Sequence, residues 1–266
     1  MILQSFSVVA TEEVWRELAI LIYATRRFHP QPFYILCDEP VKEALAPYNF
    51  PELYFDLSAS PEALMSINFD DYRVENDYHR ADCIAKKMDA VERATDWFGN
   101  TLFLDADIVP VAPMDTGITH PVMVSPHYHQ TDRILNTRKY GAYNAGYLFN
   151  SEPGLAELWR DIYTHRSTFF EQEGMVHFHE EVEVGKFDKT HNVGFWRMKV
   201  EGGAIDLAEF QELAKTVKSF HAHLTMDLFP RADPGLRRVY TEMMNFVLLF
   251  LATEHPDLYR FADKFR

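Results

Sequence analysis

The chain has 266 residues and a formal net charge of −14, with 47% hydrophobic and 25% charged residues. This is the composition of an ordinary globular protein, and its acidic balance offers no basic face for a nucleic-acid partner. The longest apolar run, Phe246 to Ala252, is far shorter than the ~20 residues of a membrane span.

Cysteine usage and the N-terminus indicate the compartment. Cys37 and Cys83 are isolated from each other, which favours a reducing compartment over a disulfide framework. The sequence has no Cys-x-x-Cys, which argues against a thiolate zinc site. The first seven residues lack a basic segment followed by an apolar core, so we predict no signal peptide. These features predict a cytoplasmic protein.

The N-terminal part alternates predicted strands and helices. Strands are predicted at 2–10, 33–37 and 53–57, and helices at 12–28 and 41–46, with Thr11 as the cap of the first helix and 38–40 as a loop. This alternation is typical of an α/β fold with a mostly parallel sheet.

A long helix is predicted over residues 80–98, and the apolar strand that follows it leads into Asp105-Ala106-Asp107. Two carboxylates two residues apart at a strand end point the same way. The carboxyl edge of an open α/β sheet is where ligands bind, and paired carboxylates there can hold a divalent cation with a phosphate. The alternative is that one aspartate caps the next element and the other is solvated.

Two lysines precede this motif on the predicted helix. The helical spacing places Lys87 on the flank of the apolar stripe, from which it could lean over the sheet edge and meet a diphosphate. Arg80 is a second cationic candidate. The alternative for Lys87 is a solvated lysine paired with Asp82 or Asp89.

The second half is less regular. Strands are predicted at 121–125, 147–150 and 217–224, and helices at 153–168, 208–215 and 236–252. The apolar run of the last helix is interpreted as a packing face on the core, with a homodimer contact as the less favoured use. We predict one domain over 1–266, with a nucleotide-binding half (1–115), a sugar and acceptor half (116–224) and a helical tail (225–266).

Tyr143-Asn144-Ala145-Gly146 is interpreted as a turn before a strand, because Asn and Gly tolerate unusual backbone angles. The Asn144 amide in such a turn could bind a hydroxyl-rich ligand. A turn without a functional role is the alternative.

Three His-x-His pairs occur, at His127/His129, His177/His179 and His221/His223. Within a strand, both rings of a pair share one face and can ligate a metal. Only the last pair lies in a convincing strand. The alternative for each pair is one buried, hydrogen-bonded histidine with an exposed partner.

An acidic pair, Glu180-Glu181, and an aromatic pair, Phe195-Trp196, lie further along the chain. Glu181 could bind a sugar hydroxyl or act in acid–base catalysis, and the face of Trp196 suits a sugar ring. Equally, the aromatic residues could be core and Glu180 a surface charge.

The order of these features resembles that of the GT-A glycosyltransferases, which use nucleotide-diphosphate sugars. The features are the early strand–helix–strand unit, Lys86-Lys87, Asp105-Ala-Asp107, Tyr-Asn144-Ala-Gly146 and a late histidine. The layout is most similar to the glycogenin-like and lipopolysaccharide-galactosyltransferase group. Two features differ from that group. Glu180-Glu181 is found in place of its Asp-Gln, and the Gly and Lys-Pro-Trp expected after the late histidine are absent.

The resemblance implies a metal-dependent hexosyltransferase of GT-A fold, and the group retains anomeric configuration. Asp105, Asp107 and either His221 or His223 would bind Mn²⁺ (or Mg²⁺), and the metal would bridge the donor diphosphate. The residues implied at the donor are Ala10, Thr11 and Glu12 near the base and ribose, and Asn144 and Gly146 at the sugar. Lys87 and Ala106 are further candidates for donor binding, and Glu181 is a candidate catalytic residue beside Asp105 and Asp107. The acceptor is an unidentified hydroxyl.

Two other functions fit the motif. Haloacid-dehalogenase-like phosphatases carry Asp-x-Asp-x-Thr/Val, which Asp105 to Val109 matches, with the first aspartate as nucleophile and the second as acid–base. Their motif usually ends the first strand, however, and a clear downstream Asp-Asp pair is missing here. The third interpretation is a non-catalytic sugar or nucleotide binder.

Overall fold

The structure, a computed structural model, describes residues 1–58, 79–115, 117–128, 141–166, 171–197, 200–201, 204–205, 207–225 and 234–266. The N-terminal region alternates strands and helices, as predicted: β1 (Phe6–Ala10), α1 (Trp15–Arg26), β2 (Phe33–Cys37), α2 (Glu39–Leu45), β3 (Leu53–Asp56) and α3 (His79–Phe98). The five residues of β2 are all buried, as expected for a strand covered on both faces. Asp38 starts α2 by accepting a hydrogen bond from the Val41 N–H at 3.2 Å.

The rest of the chain adds eight strands and four helices to the described part. They are β4 (Thr101–Leu104), β5 (Ile108–Pro110), β6 (Val122–Pro126), β7 (Tyr143–Asn150), α4 (Leu155–Arg166), β8 (Val184–Lys186), β9 (Val200–Glu201), β10 (Ala204–Ile205), α5 (Leu207–Ala214), β11 (Ser219–His221), α6 (Pro234–Glu254) and α7 (Pro256–Ala262). Short 3-10 helices lie at Glu12–Val14, Ala46–Tyr48, Glu173–Glu180, Phe195–Arg197 and Asp263–Phe265.

Seven strands form one sheet in the order β3-β2-β1-β4-β7-β6-β8. β1 pairs in parallel with β2 and β4, and β2 with β3, whereas β7 pairs antiparallel with both β4 and β6. Among the described strands of this sheet, β7 alone is therefore reversed, and the prediction of a mostly parallel α/β sheet is confirmed. The carboxyl ends of β1 and β4 and the amino end of β7 meet at one edge, where ligands of such sheets bind.

Helices cover both faces of this sheet. On one face, α1 and α6 contribute Leu18 and Met243 to a hydrophobic cluster that includes Phe6 of β1. On the other face, α3 and α4 contribute Met88 and Trp159 to a second cluster. The sheet is thus the middle of three layers, the arrangement expected for an α/β fold.

The apolar run of the predicted last helix lies in α6. Met243, Val247 and Leu251 are fully buried against the core, and Leu249 is the large apolar side chain that the helix leaves exposed. The packing interpretation agrees with this burial, and the homodimer contact stays a prediction. None of the described helices combines the length and the apolar character that a membrane crossing needs.

Some local predictions were wrong. The first strand, predicted from residue 2, begins only at Phe6. Residues 143–150 form the single strand β7, so Tyr143 to Gly146 is not a turn before a strand; the irregularity lies in its pairing with β6, where the register shifts between Val124 and Ser125. The strand predicted over 217–224 is only Ser219–His221, which leaves His223 beyond its end. Glu39 and Pro40, predicted as loop, form the first turn of α2, where the missing N–H of proline is no loss.

Candidate metal centre

Asp105 and Asp107 lie in the tight connection between β4 and β5. The Asp105 N–H donates to the Gly146 carbonyl at 2.9 Å, and the Asp107 carbonyl accepts from the Ala222 N–H at 3.0 Å. β5 pairs antiparallel with β11, which brings His221 opposite Ile108. The backbone therefore fixes the two carboxylates against the end of β11, at the ligand-binding edge of the sheet.

The Asp107 carboxylate is buried and faces two histidines. Its Oδ2 atom lies 2.9 Å from the Nε2 atom of His221 and 2.8 Å from the Nε2 atom of His223. Burial alone would raise the pKa of Asp107, but the two rings outweigh it and hold that pKa well below its usual range. For His223, burial alone would lower the pKa of the ring. The charge of Asp107 outweighs burial, so the pKa of His223 is raised.

A divalent cation fits this group of side chains. One ligand atom each from Asp105, Asp107 and His221 lies within 4.8 Å of the others. Despite the close histidines, Asp107 Oδ2 is a buried oxygen without a hydrogen bond of acceptable geometry, and such an acceptor is costly unless something else neutralises it. Two carboxylates and an imidazole suit Mn²⁺ or Mg²⁺.

Lys87 joins Asp105 to a second carboxylate. Its Nζ atom lies 3.0 Å from Asp105 Oδ1 and 3.2 Å from Glu171 Oε1. Burial alone would lower the pKa of Lys87, but Asp105 and then Glu171 raise it above its usual value, so this lysine stays charged. Lys86, by contrast, pairs with Asp89 on its own helix at 2.8 Å. Lys87 thus reaches the predicted sheet edge, where its partners in the described structure are carboxylates.

Glu171-Gln172 is the part of the site that the sequence analysis missed. The buried Glu171 contacts Lys87, and the Gln172 Oε1 atom accepts from the Ala145 N–H at 3.4 Å. After Gly146, this is the only place in the sequence where an acidic residue directly precedes a glutamine. With Glu for Asp, this is the residue order of the Asp-Gln pair that the resemblance implies, for which the sequence analysis took Glu180-Glu181.

Glu180 and Glu181 lie at the exposed end of a 3-10 helix. Glu180 pairs with Arg166 at 2.7 Å and with His177 at 2.6 Å. Within the described residues, no contact that the structure shows joins Glu181 to the Asp105 group. The catalytic role of Glu181 stays a prediction, and Glu171 is the acid that the fold links to Asp105 through Lys87.

Asn144 and Gly146, both on β7, lie directly beside the aspartates. The Asn144 Oδ1 atom accepts from the Gly146 N–H and from Asn192 Nδ2, both at 3.0 Å. Asn192 Oδ1 in turn lies 2.8 Å from His221 Nδ1. The ring of Trp196, half-buried, packs edge-on against His221 with 4.9 Å between centroids. Asn192 was not predicted, since its sequence neighbours give no signal of a metal site.

The remaining predicted residues border this edge. Ala10 ends β1 and is buried, and Ala106 lies between the two aspartates. Thr11 precedes the 3-10 helix but makes no side-chain capping bond, and its hydroxyl is buried without a hydrogen bond. The Glu12 N–H donates to Asp38 Oδ2 at 3.1 Å.

The structure shows other partners for two of the remaining paired histidines. His127 Nδ1 is 3.0 Å from the Gly141 carbonyl, and His177 pairs with Glu180 as described above. His129 and the side chains of Arg80, Asp82 and Cys83 lie outside the described residues, whereas Cys37 is a buried free thiol.

Comparisons with known proteins show the fold. No model of a known family matches the chain, and no curated protein matches its sequence. The crystal structure of the galactosyltransferase LgtC in complex with donor and acceptor sugar analogues is similar, with a TM-score of 0.51, 14% identity and coverage of 91% of this chain and 96% of that one. The apo structure of the bifunctional glycosyltransferase WbbM gives a TM-score of 0.54 at 10% identity, over 97% of this chain and 51% of that one. The chain has the GT-A-like fold of these glycosyltransferases.

Proposed function

We propose that this chain, with its GT-A-like fold, is a metal-dependent glycosyltransferase that moves a sugar from a nucleotide-diphosphate sugar to an acceptor hydroxyl. The observation that carries the proposal is the convergence of Asp105, Asp107 and His221 at the ligand-binding edge of the sheet. A phosphatase of the haloacid-dehalogenase type is less well supported, because its motif usually ends the first strand, whereas here it ends β4, the fourth.

The proposed cofactor is Mn²⁺ or Mg²⁺. Asp105, Asp107 and His221 would hold it, and His223, whose Nε2 atom also meets Asp107, is the fourth candidate ligand. When bound, such a cation neutralises the negative charge that develops on the diphosphate as the sugar bond breaks.

The nucleotide is proposed to lie along the ends of β1 and β4. Ala10, Thr11 and Glu12 end and follow β1, and the buried Thr11 hydroxyl has no hydrogen-bond partner in the described structure, so a base or ribose can supply one. Ala106 would lie beside the diphosphate. Lys87 would supply positive charge near the leaving group while holding Asp105 in place.

The donor sugar is proposed to lie between β7 and Glu171-Gln172. Asn144 and Gly146 come from β7, and Gln172 is bonded to the same strand through Ala145. The carboxylate of Glu171 is held by Lys87, so it keeps a fixed position toward the sugar side. Hexosyl transfer with retention of configuration, as in the group that the sequence resembles, is part of this proposal.

The direct test is a thermal-shift panel of nucleoside diphosphates, each with and without Mn²⁺. Ligand binding to the native state raises the melting temperature by mass action. A Mn²⁺-dependent shift with one diphosphate supports the proposal and identifies the base of the donor. That base then selects the nucleotide sugars for assays of hydrolysis and transfer.

The other outcomes separate the rival functions. A Mn²⁺-dependent shift without turnover of any nucleotide sugar would indicate a non-catalytic binder. Absence of any shift, together with hydrolysis of phosphate esters, would indicate the phosphatase.

A further inference from the structure

Two histidines approach the same oxygen of Asp107. Their other ring nitrogens differ, because Nδ1 of His221 has a hydrogen-bond partner and Nδ1 of His223 has none among the described residues. We propose that Asn192 is a positioning residue that fixes the ring proton of His221 on Nδ1 and so makes His221, rather than His223, the imidazole ligand of the cation. The ligand part of this inference rests on the proposed metal site, whereas the proton assignment does not.

The argument begins at a backbone group whose role is fixed. The N–H of Gly146 can only donate, and it lies 3.0 Å from one side-chain atom of Asn144. That atom must be the oxygen, which sets the orientation of the Asn144 amide. The same oxygen lies 3.0 Å from the Asn192 side chain, so the atom of Asn192 that faces it must be the NH₂ group.

The second step carries this orientation to the histidine. The Asn192 NH₂ group also reaches Ser125 Oγ at 3.1 Å, which leaves the Asn192 oxygen facing His221 Nδ1 at 2.8 Å. An amide oxygen only accepts, so the proton of the ring lies on Nδ1. A neutral imidazole protonated there has its lone pair on Nε2, and this atom lies 2.9 Å from Asp107 Oδ2.

Asp107 faces the other nitrogen of the His221 ring. In the neutral Nδ1–H form, Nε2 has no proton to donate to Asp107 Oδ2, which lies 2.9 Å away. The Nε2 lone pair and the Asp107 carboxylate oxygen are then two neighbouring acceptors without a proton to share. A cation that binds both atoms would compensate for this.

His223 lacks a comparable support. Its Nδ1 atom is buried without a hydrogen-bond partner among the described residues. The structure holds this residue through its backbone instead, because the His223 N–H donates to the Tyr240 hydroxyl at 3.0 Å. Neither ring nitrogen of His223 is therefore assigned, and its Nε2 atom can carry a proton toward Asp107.

The backbone of Asn192 explains why this residue type is found here. Asn192 is fully buried and has a φ of 55°, in the left-handed region that Asn, Asp and Gly tolerate better than other residues. Its N–H is fixed by Ser219 Oγ at 2.9 Å. The side chain is thus aimed between Asn144 and His221 by its own backbone.

The first experiment measures Mn²⁺ affinity by electron paramagnetic resonance for the wild type, Asn192→Gly and Asn192→Asp. Both substitutions tolerate the left-handed backbone, but only aspartate keeps an oxygen for the His221 Nδ1–H. Asn192→Gly should weaken Mn²⁺ binding by about 10- to 100-fold, as loss of a partner behind a ligand usually does. Asn192→Asp should recover only part of it, because its second oxygen replaces the NH₂ group that faces Asn144 and Ser125. Wild-type affinity in a folded Asn192→Gly variant would overturn the proposal.

The second experiment needs neither metal nor nucleotide, so it separates this proposal from the proposed function. Histidine ¹⁵N chemical shifts, recorded at one alkaline pH where imidazole is neutral, show which ring nitrogen carries the proton. The His221 signal is identified by its absence in His221→Gln. We expect the Nδ1–H form in the wild type and its loss in Asn192→Gly; an Nε2–H form in the wild type contradicts the role of Asn192. If the NMR result holds but no Mn²⁺ binds, the positioning role stands and the metal site is wrong.

Discussion

Gly146 and Asp105 are packed so closely across β7 and β4 that a Cβ atom on residue 146 would overlap the Asp105 carboxylate. The two residues are also joined by the hydrogen bond from the Asp105 N–H to the Gly146 carbonyl, at 2.9 Å. Glycine is thus needed here for close approach rather than for a turn. It allows the reversed strand β7 to lie directly against Asp105, the first of the proposed metal ligands.

Gly146→Ala should therefore displace the Asp105 carboxylate. We expect Mn²⁺ affinity to fall by about tenfold or more, with a smaller effect on folding, because Asp105 can move toward solvent. A matched control is Gly185→Ala on β8, whose Cβ atom would crowd the side chains of Met123 and His120. It should lower the melting temperature and leave Mn²⁺ affinity unchanged. Equal Mn²⁺ affinity in the two variants would contradict the role of Gly146.

Asp107→Asn should abolish Mn²⁺-dependent binding of a nucleoside diphosphate, because it removes the charge on which both histidines converge. Calorimetric titration with the diphosphate, with and without Mn²⁺, measures this effect. Asp56→Asn is the matched control, since Asp56 also ends a parallel strand but pairs with Arg93 instead. Normal turnover in a folded Asp107→Asn variant would refute the metal assignment.

Lys87→Met should leave the carboxylates of Asp105 and Glu171 facing each other without their cation. We expect the free energy of unfolding to fall by roughly 2 kcal/mol, less than for a fully buried pair because Lys87 and Asp105 remain partly exposed. Diphosphate binding should weaken more than nucleoside binding. Lys86→Met, which loses only the pair with Asp89, should cost less than ~1 kcal/mol. Equal losses of diphosphate and nucleoside binding would place Lys87 away from the phosphates.

Glu171→Gln and Glu181→Gln test which of the two carboxylates is required for sugar transfer. Glu171 is buried against Lys87, whereas Glu181 is exposed, so only the first substitution should abolish sugar transfer. The rate of transfer or hydrolysis from the nucleotide sugar is the measurement, with the melting temperature as the check on folding. Loss of activity in Glu181→Gln alone would restore the prediction made from sequence.

His191 should make stability depend on pH. Burial, with a contribution from Lys218, lowers the pKa of His191 to about 4 from 6.5, although Asp188 offsets part of this effect. Because the unfolded state binds the proton more readily, the contribution of His191 is complete above pH 6.5 and is lost as pH falls toward 4. His191→Leu should flatten this part of the stability curve in urea unfolding measured across pH. An unchanged slope would show that the buried ring is not neutral.

Sequence alone predicts the elements whose signals are local. β2 and α3 match their predicted bounds to within a residue. Each is marked by its own residues, β2 by a continuous apolar run and α3 by a long repeat at helical spacing. β7 was divided into a turn and a strand because Asn144 and Gly146 resemble turn residues. Their actual reasons, a bond to Asn192 and space for Asp105, are made by distant parts of the chain.

The candidate site shows the same limit. Asp105 and Asp107 can be predicted because strand and motif are contiguous. Glu171-Gln172 was passed over for a more conspicuous acidic pair, since nothing local says that Glu171 meets Lys87. Asn192 has no local signal, because its role depends on the bridge between Val193 and Phe220 of β11, which places His221 beside it.

The pairing of β5 with β11 has a consequence for the order in which the protein matures. β5 follows the two aspartates directly, but its partner β11 is synthesised much later. A nascent chain that ends before β11 contains both carboxylates and still lacks the imidazole that completes their cluster. Capture of a divalent cation at the proposed site should therefore begin only after β11 has been synthesised.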